Sequence, residues 1–237
     1  MRKDYLIFDD VNTKDFNVGI YGDKLAAPPG RAVEYGTIPG KNGGYTIDKG
    51  YYENITVSYR AYIIDKYNNN IRGLRNALLS KIGFFRLEDT VNDEEFRIAQ
   101  VLPFDIDEVG VLEAGEFALQ FYCKPQRFLK SGEAVHEFTA ANSALFNEQK
   151  TTALPLIRAY GTGYFTINGI KITINSASSY TDIDCELQEA YKDTMATNCN
   201  GNIVLDNGEF PKLTPGSNAI VINGLSKLEI KPRWWIL

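Results

Sequence analysis

Apolar and polar residues alternate with a period of two along many stretches of this chain, as strands with one buried face require. The clearest case is Glu53–Ile64 (ENITVSYRAYII), where Ile55, Val57, Tyr59 and Ala61 fall on one side and predict a half-buried strand. Shorter runs of the same kind predict strands over Tyr5–Phe8, Phe16–Gly22, Phe84–Leu87, Glu95–Val101 and Gly115–Tyr122 in the first half. In the second half they predict Pro155–Ala159, Tyr164–Ile167, Ile170–Ile174, Thr181–Leu187, Ile203–Leu205, Ala219–Ile222 and Leu228–Ile230. Asn168-Gly169, between two of these runs, is the signal of a two-residue hairpin turn. In Thr181–Leu187 the alternation puts Ile183, Cys185 and Leu187 on one side and Asp182, Asp184 and Glu186 on the other, which predicts an acidic face turned to solvent.

Two segments break this rhythm. From about 70 to 82 the spacing of Ile71, Leu74, Leu78 and Ile82 is helical, with Asn68–Asn70 as N-cap candidates, Lys81 in the last turn and Gly83 as the C-cap. Gly22–Gly50 instead collects Pro28-Pro29-Gly30, Ile38-Pro39-Gly40 and Asn42-Gly43-Gly44, which predicts a long turning loop. Loops of that length are usually functional or wrap a neighbour. Lys124-Pro125-Gln126-Arg127 stops a strand and predicts a boundary between domains 1–127 and 128–237. The reading is a mainly β protein of two β-sandwich domains, the first carrying one α-helix over about 70–82.

Composition narrows the function. A chain of 237 residues can bury a full core, and its 14 Tyr and 13 Phe favour strands. The net charge of −5 argues against sequence-independent grip on nucleic acid. Cys123, Cys185 and Cys199 are odd in number and fit no zinc spacing, so they read as free thiols of a reducing compartment. The apolar part of MRKDYLIFDD is too short for a signal peptide, and no run approaches the roughly 18 apolar residues of a membrane helix. These features place folding in a cytoplasm and predict no membrane partner.

Catalytic chemistry finds little support. His136 is the single histidine, without a nucleophile elbow or a second histidine for zinc, and Cys123–His136 is the one conceivable nucleophile–base pair. Gly161-Thr162-Gly163 is followed by a hairpin rather than the helix a phosphate loop needs. Asp105, Asp107, Gly110 and Glu116 occupy the first, third, sixth and twelfth places of a calcium loop, but Val109 replaces a ligand and the flanks are strand-like. Asp182 with Asp184, or Glu113 with Glu116, are carboxylate pairs that acidic strand surfaces explain without glycoside chemistry. Trp234-Trp235 predicts one core and one more exposed indole. No catalytic, cofactor-binding or metal site is assigned.

The order of segments resembles the distal tail proteins of long-tailed phages and prophages. In the first half the resemblance lies in FNVGIYG, the PPGR loop, ITVSYRAYII, IRGLRNALLS, FFRLED and FALQFYCKPQRF; in the second it lies in LPLIRAYGTGYFTING, TDIDCELQEAY, GEFPKLTPGSNAIVI and LEIKPRWWIL. The resemblance implies a tail-tube-like first domain that forms a hexameric ring, and a galectin-like or jelly-roll-like second domain on its outside. It implies a non-enzymatic baseplate hub in the virion tail tip, without cofactors. Its partners would be the tail-tube (major tail) protein and the tip or tail-associated lysin-type protein, with tape-measure and receptor-binding proteins as further candidates. From the residues, Gly22–Gly50 is a candidate to reach a neighbour, and a strand edge near Phe117–Tyr122 is a candidate to pair with the next subunit. The competing reading is a carbohydrate-binding module, which predicts a groove lined by Tyr160, Tyr164, Tyr180 or Trp235.

Overall fold

The computed structural model describes residues 4–63, 67–104, 115–177 and 179–237. By contact density the chain divides into two compact units, Met1–Arg127 with Leu237, and Phe128–Ile236. Each has its own apolar core.

Unit 1 runs β1 (Leu6–Phe8), β2 (Val11–Asn12), β3 (Val18–Ala26), β4 (Arg31–Thr37), β5 (Gly44–Tyr52), β6 (Ile55–Ile63), α1 (Tyr67–Leu79), β7 (Phe85–Asp89), β8 (Glu95–Val101) and β9 (Gly115–Cys123). Its sheet has the order β2-β1-β7-β8-β9-β6-β3 and every listed neighbour pair is antiparallel. The Ile20 N–H donates to the Asp4 carbonyl at 2.8 Å, tying the chain just before β1 to the far edge strand, so the sheet is rolled. The strongest alternation makes the longest ladder: β6 pairs with β9 from Ile55↔Cys123 to Ile63↔Gly115. Ile55, Val57, Tyr59, Ala61 and Ile63 all point into the core against Leu119, Phe121, Leu6 and Phe8.

Among the described residues α1 is the one α-helix. It begins and ends three residues earlier than the spacing predicts. Ile71, Leu74 and Leu78 are buried as expected, but Ile82 is 89% exposed. The helix ends because the Lys81 N–H turns to the Leu78 carbonyl (3.2 Å) in a tightened last turn, leaving Lys81, Ile82 and Gly83 in the following loop. Lys81 is thus no helix-end charge: its ammonium joins Asp9 (2.7 Å) and Asp10 at the β1–β2 turn.

Two further expectations are corrected. Gly22–Gly50 is mostly strand: β3 runs to Ala26, and β4 and β5 form a two-stranded hairpin. Its turn residues cluster at Pro28–Gly30 and Ile38–Gly43, which leaves two uninterrupted extended runs between them. Phe117–Tyr122 is not an edge. It lies within β9, bonded along its length to β6, and Phe121–Cys123 is also paired to Val101–Ala99 of β8. Edge or interior is a matter of long-range pairing, to which local alternation is blind.

Unit 2 continues with β10 (Arg127–Leu129), β11 (His136–Phe138), β12 (Asn142–Asn147), β13 (Leu156–Tyr160), β14 (Gly163–Ile167), β15 (Ile170–Ile174), β16 (Tyr180–Asp184), β17 (Glu189–Lys192), β18 (Thr194–Asn198), β19 (Ile203–Leu205), β20 (Gly216–Asn223), β21 (Lys227–Lys231) and β22 (Trp235–Ile236). A six-stranded sheet, β11-β21-β13-β16-β17-β18, and a five-stranded sheet, β12-β20-β14-β15-β19, turn their apolar sides to one core. Asn168 (φ 52°) and Gly169 (φ 84°) make the β14–β15 turn, the positive φ at both positions being what a two-residue hairpin of matching twist demands. Trp234 is buried and Trp235 half-buried, its indole N–H donating to the Thr152 carbonyl at 3.0 Å.

One buried amide knits this unit. Asn218 donates to the carbonyls of Leu145, Thr214 and Gly216 and accepts from the Thr214 N–H and the Asn168 amide, at 2.7–3.2 Å. Replacing Asn218 by Leu strands these groups and is expected to cost at least about 2 kcal/mol. Urea unfolding followed by tryptophan fluorescence measures it, since both tryptophans belong to unit 2; an unchanged midpoint would show the network to be dispensable.

Candidate functional site

The most elaborate polar cluster lies on the outward face of the six-stranded sheet. Register places Arg158, Asp182 and Glu229 side by side on β13, β16 and β21, with Tyr160, Tyr180 and Lys227 forming the next row. Arg158 grips Asp182 with two bonds (2.6 and 3.0 Å) and stacks on the Tyr180 ring at 4.2 Å. Arg233 grips Asp184 with two more (2.8 and 2.7 Å), and Asp184 also accepts the N–H groups of Glu186 and Leu187.

This overturns the solvated acidic face expected for Thr181–Leu187. Asp182 is 3% and Asp184 2% exposed, whereas Leu187 lies past the end of β16 and is 52% exposed. Alternation did put the carboxylates outward, but arginines 24 and 49 residues away in sequence cover them. Buried charge demands such pairing. Glycosidase chemistry needs one carboxyl that keeps its proton near neutrality. Burial pushes the Asp184 carboxyl up, but the Arg233 bonds outweigh it and hold the group below the ordinary carboxylate value.

The tyrosines expected to line a sugar groove do not converge. Tyr160 and Tyr180 meet, with ring centroids 5.6 Å apart. Tyr164 is on β14 of the other sheet and Trp235 is anchored at Thr152. Even the meeting pair is already engaged: Lys227 lies over Tyr160, Arg158 and Lys192 lie over Tyr180, and the hydroxyls donate to Glu229 and Asp193. An open, shallow depression of about 400 Å³ beside β18 is lined by Leu187, Glu189, Tyr191, Met195 and Asn198. It lacks the enclosure typical of small-molecule sites.

The remaining candidates are quickly placed. Cys123 is fully buried in the unit 1 core with its thiol directed at the Phe121 carbonyl, and His136 sits on β11 opposite Ile230. Cys185 is buried, which pushes its thiol well up, and Cys199 is half-buried; all three cysteines are free. Asp105, Asp107, Gly110 and Glu113 lie outside the described residues. Glu116, on β9, accepts from the Tyr21 hydroxyl (2.7 Å) and pairs with Arg60 (3.5 Å). Gly161-Thr162-Gly163 is the β13–β14 turn. Among the described residues no three His, Cys, Asp or Glu side chains converge as metal ligands, and no helix is long and apolar enough to cross a membrane.

The feature sequence reasoning came closest to missing is the β4–β5 hairpin. Among the described residues it pairs only with itself. Tyr35 is 78% exposed, and Tyr45, Ile47 and Tyr51 are exposed too. Gly36 lets the Tyr45 ring lie across β4, and the ion pairs Arg31–Asp48 (2.6 Å) and Glu34–Lys49 (3.8 Å) are internal to it. The signal was present as alternation in RAVEYGT and GYTIDKGYY, hidden by the glycines and prolines around it.

This rolled sheet with one helix, followed by a two-sheet sandwich, is the fold of phage baseplate hub proteins. The chain is similar to the SPP1 Dit (gp 19.1) protein, described as a paradigm of the hub adsorption apparatus in phages infecting Gram-positive bacteria. The TM-score is 0.74 at 14% identity, over 97% of this chain and 98% of that one. It is also similar to chains of the phage P2 baseplate in its activated conformation with Ca (TM-score 0.57, 12% identity) and with Sr (0.57, 11%), each over 97% of both chains. No protein-family model matches this chain, and no curated protein matches it by sequence.

Asp184 generates a pH test. A carboxyl whose folded pKa is depressed contributes stability above its unfolded value and loses it as pH falls through the folded one. Wild type should therefore lose stability on acidification below about pH 4. Asp184→Asn, already destabilised at pH 7 by leaving Arg233 without its anion, should lose less over the same range. Parallel acid limbs in urea-unfolding curves of the two proteins would contradict this.

Proposed function

We propose that this protein is a non-catalytic structural hub of a phage or prophage tail tip, six copies forming a ring between the tail tube and the tip protein. The observation that carries the reading is the match to the SPP1 Dit hub over essentially the whole of both chains, both units included. The unpartnered hairpin supports it, because an isolated two-stranded ribbon with exposed apolar side chains is marginal in water and gains its stability from a partner. A ring subunit must carry two unlike complementary patches, and a projecting hairpin is a natural half of such a contact. Unit 1 would build the ring and the galectin-like unit 2 would stand outside it. The subunits would be made in the host cytoplasm and end in the virion, contacting tail-tube and tip or lysin-type proteins, with tape-measure and receptor-binding proteins as further neighbours. A carbohydrate-binding role draws less support, since the rings and hydroxyls of Tyr160 and Tyr180 are taken up by neighbouring side chains.

Light scattering on a sizing column, with negative-stain imaging over a concentration series, tests the reading. The expected species is a closed six-subunit ring of about 160 kDa, six times the 26.6 kDa chain. A chain that stays monomeric, and still fails to enter rings when mixed with tube and tip proteins, would sink it.

A further inference from the structure

A head-to-tail ring contact has two unlike halves, and the hairpin supplies only one. Unit 1 carries a second exposed apolar surface. Phe84, just before β7, and Tyr122 on β9 approach with ring centroids 6.2 Å apart on the outward side of the sheet, and Ile82 stands in the same loop two residues before Phe84. Three large apolar side chains, exposed by 89, 42 and 40% for Ile82, Phe84 and Tyr122, form a patch that ordinary surface statistics do not call for.

We infer that the β4–β5 hairpin of one copy docks, through Tyr45 and Ile47, on the Ile82–Phe84–Tyr122 surface of the next copy. This rests on the ring reading above and assigns its two contact surfaces. The occupant is a second copy of this chain for three reasons. Both surfaces belong to the same unit and both stay exposed within one chain, so a chain's own hairpin does not cover its own patch. The hairpin's seven-residue β4 is on the order of 24 Å long, enough to cross to a neighbour. Charges near both surfaces are matched internally, as Arg31–Asp48 and Glu34–Lys49 on the hairpin and Lys81–Asp9 and Arg86–Glu88 beside the patch, so docking brings no like charges together. Tyr45 and Ile47 project from the ribbon toward aromatic rings, the pairing that dominates interface energetics.

The test uses Ile47→Asp in the hairpin and Ile82→Asp in the patch, both at exposed positions where folding is not at stake. Each variant alone should need at least about 30-fold more protein than wild type to form rings. Mixed in equal amounts, the two should give a dimer and nothing larger, because one variant keeps an intact hairpin and the other an intact patch. Val91→Asp, at an exposed apolar position elsewhere, should ring like wild type. Rings formed by Ile82→Asp at the wild-type concentration, or no dimer on mixing, would overturn the assignment while leaving the ring intact. A wild-type chain that never rings, alone or with tube and tip proteins, overturns the ring reading and this inference with it.

Discussion

The β6–β9 ladder is the interaction on which unit 1 depends. Nine successive residue pairs, from Ile55↔Cys123 to Ile63↔Gly115, hold two strands that are far apart in sequence. Because side chains alternate, that one register decides which residues form the core and which form the outward face. Tyr59 and Phe121 go inward to Phe8, and Arg60, Glu116 and Tyr122 go outward. β3 takes its register from the other side of β6, and the β4–β5 hairpin is held between these two strands in the chain. A slip of one residue would bury Arg60 and Glu116 and expose the core.

Unit 2 meets a different constraint, that of polar groups withdrawn from water. Its outward sheet face holds two carboxylates almost completely covered, each met by an arginine through two bonds. Such pairs roughly balance their own desolvation and are poor evidence for added stability, but breaking one leaves a buried charge behind. The same saturation extends through Tyr160, Tyr180, Lys227 and Glu229. A face whose donors and acceptors already satisfy one another has little to offer a ligand. The hairpin of unit 1 is the opposite case, with apolar side chains exposed and its ribbon unpaired by any other strand among the described residues. Function therefore points to assembly rather than to chemistry at a pocket.

Local physics made much of this legible. Strand positions such as Glu95–Val101 and Ile170–Ile174 follow from alternation, the Asn168-Gly169 turn from its demand for positive φ, and the buried Ile71, Leu74 and Leu78 from helical spacing. What failed did so where distant residues intervene. Ile82 continues the helical stripe in sequence, but the helix has ended by then. Asp182 and Asp184 read as solvated because nothing near them in sequence announces Arg158 and Arg233. The hairpin was hidden by glycines and prolines that mark its ends rather than forbid its strands.

By itself, then, the sequence determined the mainly β class, most of the strands and the single helix among the described residues, because these depend on interactions between near neighbours along the chain. Only the tertiary structure decided that β9 is interior, that the acidic face is sealed by arginines, and that one hairpin is left without a partner. Pairing, burial and exposure are set by which strands meet across large separations in sequence, and no local pattern carries that information.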